Sequence, residues 1–396
     1  MGKANIFVIC PHGIWTKNGG SPTIYMSMKA LINKHYDIHL ICPYDKTQTN
    51  PKWKNLYVHC FKLPKFKCNI KGISWFFNKL KYFIFIILAT RKALKISKRY
   101  KPSLVYAITY YGAPVGYLIS KVKKISNITR LYGTFLFPML NNKLKLFLHF
   151  DEVLAFKFPC KALILTNDGT QGDIVAKRLR VPKNKIKFWI NGVDETYISN
   201  FNSKKFKKTI GLKENEKMIL VLSRLASWKK IDRIIEAMPK IVSKNRKVKL
   251  IIVGEGDLEK KLKDLTRKLE MNNYIKFIGM VRHVDTKKYI NSADIVVSVN
   301  NLSNISNTIL ESMNAGKCIV TINTGNTKSI IKNYKNGILL EKGNVNKLSN
   351  IILKLLKDDK LRKRLGKNAR KFAKKNFKTW KQRAGMEANL IEKYIK

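Results

Sequence analysis

The chain alternates short apolar runs with amphipathic stretches along nearly its whole length. In the first half, apolar runs of strand length cover residues 6–10, 39–42, 103–108, 128–131, 162–166 and 186–190. A second series covers residues 218–223, 248–253, 275–278, 294–299 and 318–322. The intervening segments carry apolar residues at helical spacing. Regular alternation of strands and helices predicts an α/β fold built on parallel, doubly wound sheets.

A polar, lysine-rich stretch from Glu195 to Lys217 separates the two series and is the best candidate for a domain boundary. We therefore predict a first domain over 1–195 and a second over 196–375. A final helix over 376–396 is expected to pack back toward the first domain. Two domains of this size are long enough to form their own cores.

Residues 291–326 hold the most informative pattern. A buried strand at 294–299 is followed by an Asn/Ser-rich turn, and a helix then carries Ile305, Ile309 and Met313 at helical spacing. Polar turns that lead into a helix N-terminus at the end of a parallel strand commonly bind anions and nucleotides. Glu311 falls on the second turn of this helix, within reach of a ligand held by the turn.

Three other strand ends of the second domain share the carboxyl edge with this turn. Arg224 and Lys229 follow the first strand, Gly254 begins a Gly-Glu-Gly turn after the second, and the segment 279–282 follows the third. Two cations at one turn suit a diphosphate, and a nearby carboxylate suits sugar hydroxyls. Taken singly, each cation is more simply a solvated surface charge. Their joint placement with Glu311 favours a nucleotide-diphosphate site.

The first domain offers a weaker pattern. Its opening strand is followed by a glycine-rich turn in which Gly19 and Gly20 would let the backbone approach a phosphate. An ordinary loop is an equally good interpretation of this turn, and His12 in it is more simply a loop imidazole. Another turn, Tyr132-Gly133, ends the strand at 128–131.

The charge distribution points to an anionic partner. The formal net charge is +54, and residues 46–150 contain no Asp or Glu. Within this segment, residues 72–100 are expected to form a helix whose apolar centre, 82–89, lies between clusters of Lys and Arg. This centre is too short to cross a bilayer, so we expect the helix to lie in the headgroup region of an anionic membrane. A core helix with solvated ends is the alternative.

The remaining composition favours a cytoplasmic protein. The 6 cysteines are scattered and show no metal-ligand spacing, which indicates free thiols in a reducing compartment. The first residues read as a strand rather than a signal peptide. Neither a metal nor a cofactor is expected.

Six segments resemble, in order and spacing, the large family of retaining glycosyltransferases with the GT-B fold. The resemblance implies two Rossmann-like domains that face a central cleft, and transfer of a sugar from a nucleotide diphosphate. It further implies that Arg224 and Lys229 bind the diphosphate and Glu311 binds the ribose. Gly279, Met280 and Val281 would line the base, and Gly20 would offer its N–H to the distal phosphate. The segments are SRLASWKKIDRIIEA, LIIVGEGD, IKFIGMV, SADIVVSV, SNTILESMNAGKCIV and NYKNGILLEKGN.

Two positions depart from the pattern of that family. Ser303 stands where the first acid of an E-x7-E pair is usual, so contact with the sugar would shift to Asn304, Ser306 and Asn307. Tyr132 stands where a histidine is common. With Gly133 and His12, Tyr132 is a candidate for the acceptor side, although its phenol is a poor base at neutral pH.

The resemblance implies retention of anomeric configuration without a protein nucleophile, and an acceptor that is lipid-linked or part of a polysaccharide. The expected location is the inner face of the plasma membrane. An epimerase or phosphorylase on the same fold is one alternative. A basic nucleic-acid-binding protein is a remoter one, since no RNA- or DNA-binding motif accompanies the charge, and no nucleic-acid partner is expected.

Overall fold

The computed structural model describes residues 3–14, 22–46, 50–64, 71–341 and 345–395. The chain divides into two compact units. The first unit comprises residues 1–167, 171–192 and 380–396, and the second comprises residues 168–170 and 193–379.

The first unit is built on a parallel sheet of seven strands in the order β3-β2-β1-β4-β5-β6-β7. The strands are β1 (Lys3–Ile9), β2 (Tyr36–Pro43), β3 (Leu56–Phe61), β4 (Pro102–Ile108), β5 (Ser126–Leu131), β6 (Ala162–Thr166) and β7 (Ile186–Trp189). The helices are α1 (Pro22–Asn33), α2 (Lys71–Ser97), α3 (Thr109–Lys123), α4 (Lys143–Leu148), α5 (Phe150–Lys157) and α6 (Gly172–Arg178). A sheet covered on both faces explains why its central strands β4 and β5 are buried almost throughout.

The second unit contains a parallel sheet of six strands in the order β10-β9-β8-β11-β12-β13. The strands are β8 (Lys217–Leu222), β9 (Val248–Val253), β10 (Ile275–Gly279), β11 (Ile295–Ser298), β12 (Cys318–Ile322) and β13 (Ile338–Leu340). The helices after β7 are α7 (Ser203–Thr209), α8 (Asp232–Lys244), α9 (Glu259–Lys268), α10 (His283–Ser292), α11 (Asn307–Asn314), α12 (Thr327–Ile330), α13 (Leu348–Lys357), α14 (Asp359–Asn376) and α15 (Trp380–Glu392).

These two parallel sheets flanked by helices confirm the predicted fold class. Within the second unit, one core cluster joins the inner face of the sheet to α8 through Ile234, Ile235, Met238 and Ile241. These four residues lie on the apolar stripe that the sequence predicted for this helix. The order of the strands places the ends of β9, β8 and β11 side by side at the carboxyl edge.

Several elements were not predicted. The strand β3 and the helices α4, α5 and α10 lack a clear periodic pattern, and α7 lies inside the stretch read as a linker. Three helices follow β13, where two were expected. The last of them, α15, belongs to the first unit.

The long helix α2 differs from expectation in one respect. Residues Ile73–Ser97 are long and apolar enough to cross a membrane, by length and composition only. The sequence had suggested an apolar centre too short to span. A core helix can pass the same test, and Phe85, Ala89 and Ala93 of α2 are buried against the first sheet.

Candidate functional site

Glycine residues hold three strand ends of the second sheet close together. The Gly254 N–H donates to the Gly279 carbonyl at 2.8 Å. A Cβ atom at position 254 would lie 2.1 Å from the Ser223 carbonyl oxygen, and the residue has φ +130°. Only glycine fits this combination of close approach and left-handed backbone. The turns after β8, β9 and β10 are thereby fixed beside one another, as the sequence motif had suggested.

The two predicted cations lie on the turn after β8 in different environments. Arg224 is exposed, whereas Lys229 is partly buried at the end of a short 3-10 turn over Ser227–Lys229. Burial lowers the pKa of the Lys229 ammonium, and the charge of Asp168 opposes that shift. A small cavity beside Lys229 is lined by residues from the ends of β8 and β11, among them Ser223 and Asn300. Lys229 is therefore placed where a ligand anion would meet it with little competing water.

The Asn/Ser turn after β11 is fixed by side chains from within the second unit. Arg233 on α8 donates to the Val299 carbonyl at 2.8 Å and to Asn301 Oδ1 at 2.7 Å. Asn304 is fully buried and donates through Nδ2 to the Asn300 carbonyl at 2.8 Å. Its Oδ1 has no hydrogen-bond partner in the described structure. Arg233 was missed by sequence reasoning because it lies on a helix, outside every strand-end motif.

The helix α11 begins where the sequence predicted. The Ser306 hydroxyl caps it by accepting from the Ile309 N–H at 3.5 Å. Thr308 donates to the Leu222 carbonyl at 2.9 Å, which ties the start of α11 to the end of β8. Ser306 and Asn307 thus stand at the positive end of a helix on the carboxyl edge of the sheet.

Glu311 has a partner that the sequence did not reveal. His283 Nε2 lies 3.3 Å from Glu311 Oε1, and this hydrogen bond raises the pKa of the imidazole. His283 opens α10, a helix that sequence reasoning did not identify. The segment from Gly279 through the exposed Met280 to Val281 leads directly into that helix.

A second missed residue is Asp168. It belongs to the second unit although it follows β6 in the chain. Its carboxylate accepts from the Thr170 hydroxyl at 2.6 Å and from the Ser303 hydroxyl at 3.1 Å. The sequence signal was the NDGT turn after an apolar strand, which resembles an ordinary loop. Asp168 is thus an acid beside a turn, residues 300–306, that contains none.

The acceptor-side candidates lie in the first unit. His12 is exposed after β1, and Tyr132 and Gly133 follow β5. The Arg130 guanidinium lies 4.9 Å from the centre of the Tyr132 ring. Burial raises the pKa of the Tyr132 phenol, so even less of it is ionised and available as a base near neutral pH. Gly20 lies outside the described residues.

The cysteines of the described ranges are free. They are Cys10, Cys42, Cys60, Cys160 and Cys318, while Cys68 lies outside those ranges. A search of the same residues finds no group of three His, Cys, Asp or Glu side chains that could hold a metal ion.

Comparison with known proteins gives a consistent picture. Residues 202–372 match the family model for glycosyl transferases group 1. The chain is 31% identical over 228 residues to an uncharacterized glycosyltransferase of Methanocaldococcus jannaschii, an alignment that covers 57% of this chain and 58% of that protein. It is 25% identical over 345 residues to the UDP-Gal:alpha-D-GlcNAc-diphosphoundecaprenol alpha-1,3-galactosyltransferase of Escherichia coli, covering 86% and 85% of the two chains.

Among solved structures, Anabaena HepE in complex with UDP and glucose has a TM-score of 0.76 at 18% identity, covering 98% of this chain and 99% of the other. A likeness at this level of identity concerns the fold. It confirms the GT-B architecture that the sequence motifs implied.

Proposed function

We propose that the chain transfers a sugar from a nucleotide-diphosphate sugar to a membrane-associated acceptor with retention of anomeric configuration, a proposal supported by the match of residues 202–372 to the family model for glycosyl transferases group 1. The observation that carries this proposal is the arrangement at the carboxyl edge of the second sheet. There, Lys229 and Asn300 line one small cavity, the Thr308 hydroxyl joins the start of α11 to the end of β8, and Glu311 lies one turn further along α11.

Each group has a role that follows from its chemistry. Lys229, partly desolvated, would bind the diphosphate as a point charge, and the exposed Arg224 would add a planar fork. Glu311 would accept from the ribose hydroxyls. The segment 279–281 would lie against the base, and Gly254 would let the phosphates approach the backbone. The helix N-terminus at Ser306 and Asn307 would face the sugar.

Catalysis in this scheme rests on stabilising the leaving group. Charge develops on the diphosphate as the bond to the sugar breaks, and Lys229 and Arg224 offset it. A departing phosphate oxygen would take the proton of the acceptor hydroxyl, so the new bond forms on the face that the leaving group vacates. No metal or cofactor is required by this scheme.

The acceptor is proposed to be lipid-linked or a surface polysaccharide. The Escherichia coli relative is named for a diphosphoundecaprenol acceptor. In this chain, residues 46–150 carry Lys and Arg without a single acid. Anionic lipid headgroups and pyrophosphates are the partners that such a segment attracts.

A specific surface of the first unit supports attachment to the membrane at its cytoplasmic face. Trp75, Phe76, Phe83 and Ile87 of α2 are exposed, as are Leu144, Phe147 and Leu148 of α4; we call these residues the apolar face. The Trp75 indole donates to the Leu148 carbonyl at 3.0 Å, so the two helices adjoin. Lys143 and Lys145 are exposed on the same short helix. Apolar side chains beside lysines suit insertion into an anionic interface.

The donor site is tested by Lys229→Ala and Glu311→Ala. We expect each variant to lose transfer by about a hundredfold or more, because one removes charge from the leaving group and the other removes an anchor. Lys240→Ala, on the exposed side of α8, is the matched control and should keep full activity. Thermal-shift screening with a panel of nucleotide sugars identifies the base and the sugar beforehand. Full activity in both site variants would show that the site is wrongly assigned.

A further inference from the structure

Asp168 accepts several hydrogen bonds, two of which join it to the turn 300–306. Its Oδ1 accepts from the Thr170 N–H at 3.1 Å and from the Thr170 hydroxyl at 2.6 Å. Its Oδ2 accepts from the Ser303 hydroxyl at 3.1 Å, and its backbone carbonyl accepts from the Ile305 N–H at 2.9 Å. The acid is thus tied to the turn by both side chain and backbone.

The backbone around Asp168 is shaped for this approach. Gly169 has φ +92°, and a Cβ there would lie 3.0 Å from the Asn304 nitrogen. A larger residue would push the turn away, since this backbone region also disfavours side chains. The close approach of Asp168 to Ser303 therefore depends on the glycine that follows it.

The hydrogen bond from Ser303 to Asp168 determines what the Ser303 hydroxyl can still offer a ligand. A serine hydroxyl has one proton and two acceptor lone pairs. Since Ser303 donates its proton to Asp168, its oxygen is left only with acceptor capacity. The adjacent Asn304 contributes a buried Oδ1 without a partner in the described structure. Ser303 and Asn304 consequently present hydrogen-bond acceptors on this side of the turn.

We propose that Asp168, acting through Ser303, makes the sugar end of the donor site selective for neutral sugars whose hydroxyl or amide groups donate hydrogen bonds. The inference rests on the proposed nucleotide-sugar function. Asp168 is a positioning residue in this account, since Ser303 rather than the acid itself meets the sugar.

An anionic sugar would be rejected for two reasons. A sugar carboxylate has no proton to give to the acceptors of Ser303 and Asn304. It would also be repelled by the negative charge of Asp168, the same charge that acts on the Lys229 ammonium. Lys229 would be engaged by the diphosphate, and residues 300–306 themselves contain no Lys or Arg. The Arg233 guanidinium, which contacts this turn, is already bonded to the Val299 carbonyl and to Asn301. Repulsion of this kind is an effective source of specificity.

The experiment compares the binding of UDP-glucose, UDP-glucuronate and UDP by calorimetry, with the guanosine counterparts if screening selects that base. We expect the wild-type chain to prefer the neutral sugar by about tenfold or more. In Asp168→Asn the side-chain amide can donate to Ser303, which frees the hydroxyl proton. Both this variant and Ser303→Ala should reduce the preference at least about fivefold and leave UDP affinity within about twofold.

Asp264→Asn on α9 is the matched control, because its carboxylate is exposed and pairs only with neighbours on that helix. It should leave the preference unchanged. If Asp168→Asn fails to fold, as judged by its thermal midpoint, Ser303→Ala alone decides the matter. An unchanged preference in the folded variants, or no preference in the wild type, overturns the inference. Absence of binding to every nucleotide instead overturns the proposed function, and the inference with it.

Discussion

At the scale of single residues, the contact between His283 and Glu311 predicts that the proposed donor site is sensitive to pH. The Glu311 hydrogen bond raises the pKa of His283 above its ordinary value, partial burial opposes the rise, and the charge of Asp194 adds to it. The protonated imidazole holds the carboxylate more firmly than the neutral one. In the proposed site the ribose would share Glu311 with His283, so protonation of His283 would leave Glu311 a weaker hydrogen-bond acceptor for the ribose.

We therefore expect nucleotide affinity to rise by roughly two- to fivefold as pH increases through the raised pKa of His283. The sign follows from linkage. The charged pair is fully formed below about pH 6.5, the ordinary pKa of histidine, and is lost above the raised value. Calorimetric titration with the preferred nucleotide between pH 6 and pH 8.5 measures the effect. His283→Asn should bind with little pH dependence, and an unchanged profile in that variant would contradict the assignment.

At the scale of elements, one side of α2 packs in the core of the first unit and the other side is exposed. Phe85, Ala89 and Ala93 fill the core beneath the first sheet. The opposite side carries the exposed residues of the apolar face and joins α4 and α5, where Lys79 pairs with Asp151 at 2.5 Å and Phe83 stacks on Phe150 at 5.9 Å. A helix that is apolar nearly all round is thus anchored on one side and left uncovered, within the described structure, on the other.

The membrane proposal predicts that Phe76→Ser combined with Phe147→Ser abolishes binding to phosphatidylglycerol vesicles. Each phenylalanine contributes about 1.5–3 kcal/mol when buried, so the loss should exceed about a hundredfold. Sedimentation with vesicles, across salt concentrations, measures it. Tyr334→Ser in the second unit, at an exposed aromatic residue outside the apolar face, should bind like the wild type. Tight binding to RNA with no binding to vesicles would favour a nucleic-acid partner over a membrane.

At the scale of the whole molecule, the C-terminal helix is built into the core of the first unit. Glu387 of α15 is fully buried and accepts from Arg130 of β5 and from the Tyr106 hydroxyl of β4. It also accepts from Arg383 at 3.0 Å. One buried carboxylate thus faces two buried guanidinium groups and offsets one of their two charges, so the last helix stabilises the core electrostatically as well as by packing.

Glu387→Gln should destabilise the first unit by about 3–5 kcal/mol, because it leaves two buried cations without an anion. Urea unfolding followed by tryptophan fluorescence measures the change. Glu392→Gln is the matched control on the same helix. Its pair with Lys34 is partly exposed, and the amide oxygen can still accept from the Tyr36 hydroxyl, so the change should cost no more than about 1 kcal/mol. Equal urea midpoints for the two variants would show that the buried cluster around Glu387 does not stabilise the first unit.

The sequence by itself determined the fold class and the strand ends that carry the chemistry. Strand length, apolar runs and helical spacing are local properties, and they placed β12 over Cys318–Ile322 and the cap of α11 at Ser306. Glycine requirements are also local, which is why the turns at Gly254 and Gly279 were identified. These signals need no knowledge of distant contacts.

Only the tertiary structure decided which side chains meet. Asp168 lies 135 positions from Ser303 along the chain, and their hydrogen bond follows from folding alone. His283 reaches Glu311, and Glu387 reaches Arg130 over 257 positions, for the same reason. A residue's pattern reports its own secondary structure, whereas its partners depend on how strands are ordered in the sheet. The Asn/Ser turn was therefore located from sequence, and the acid beside it was not.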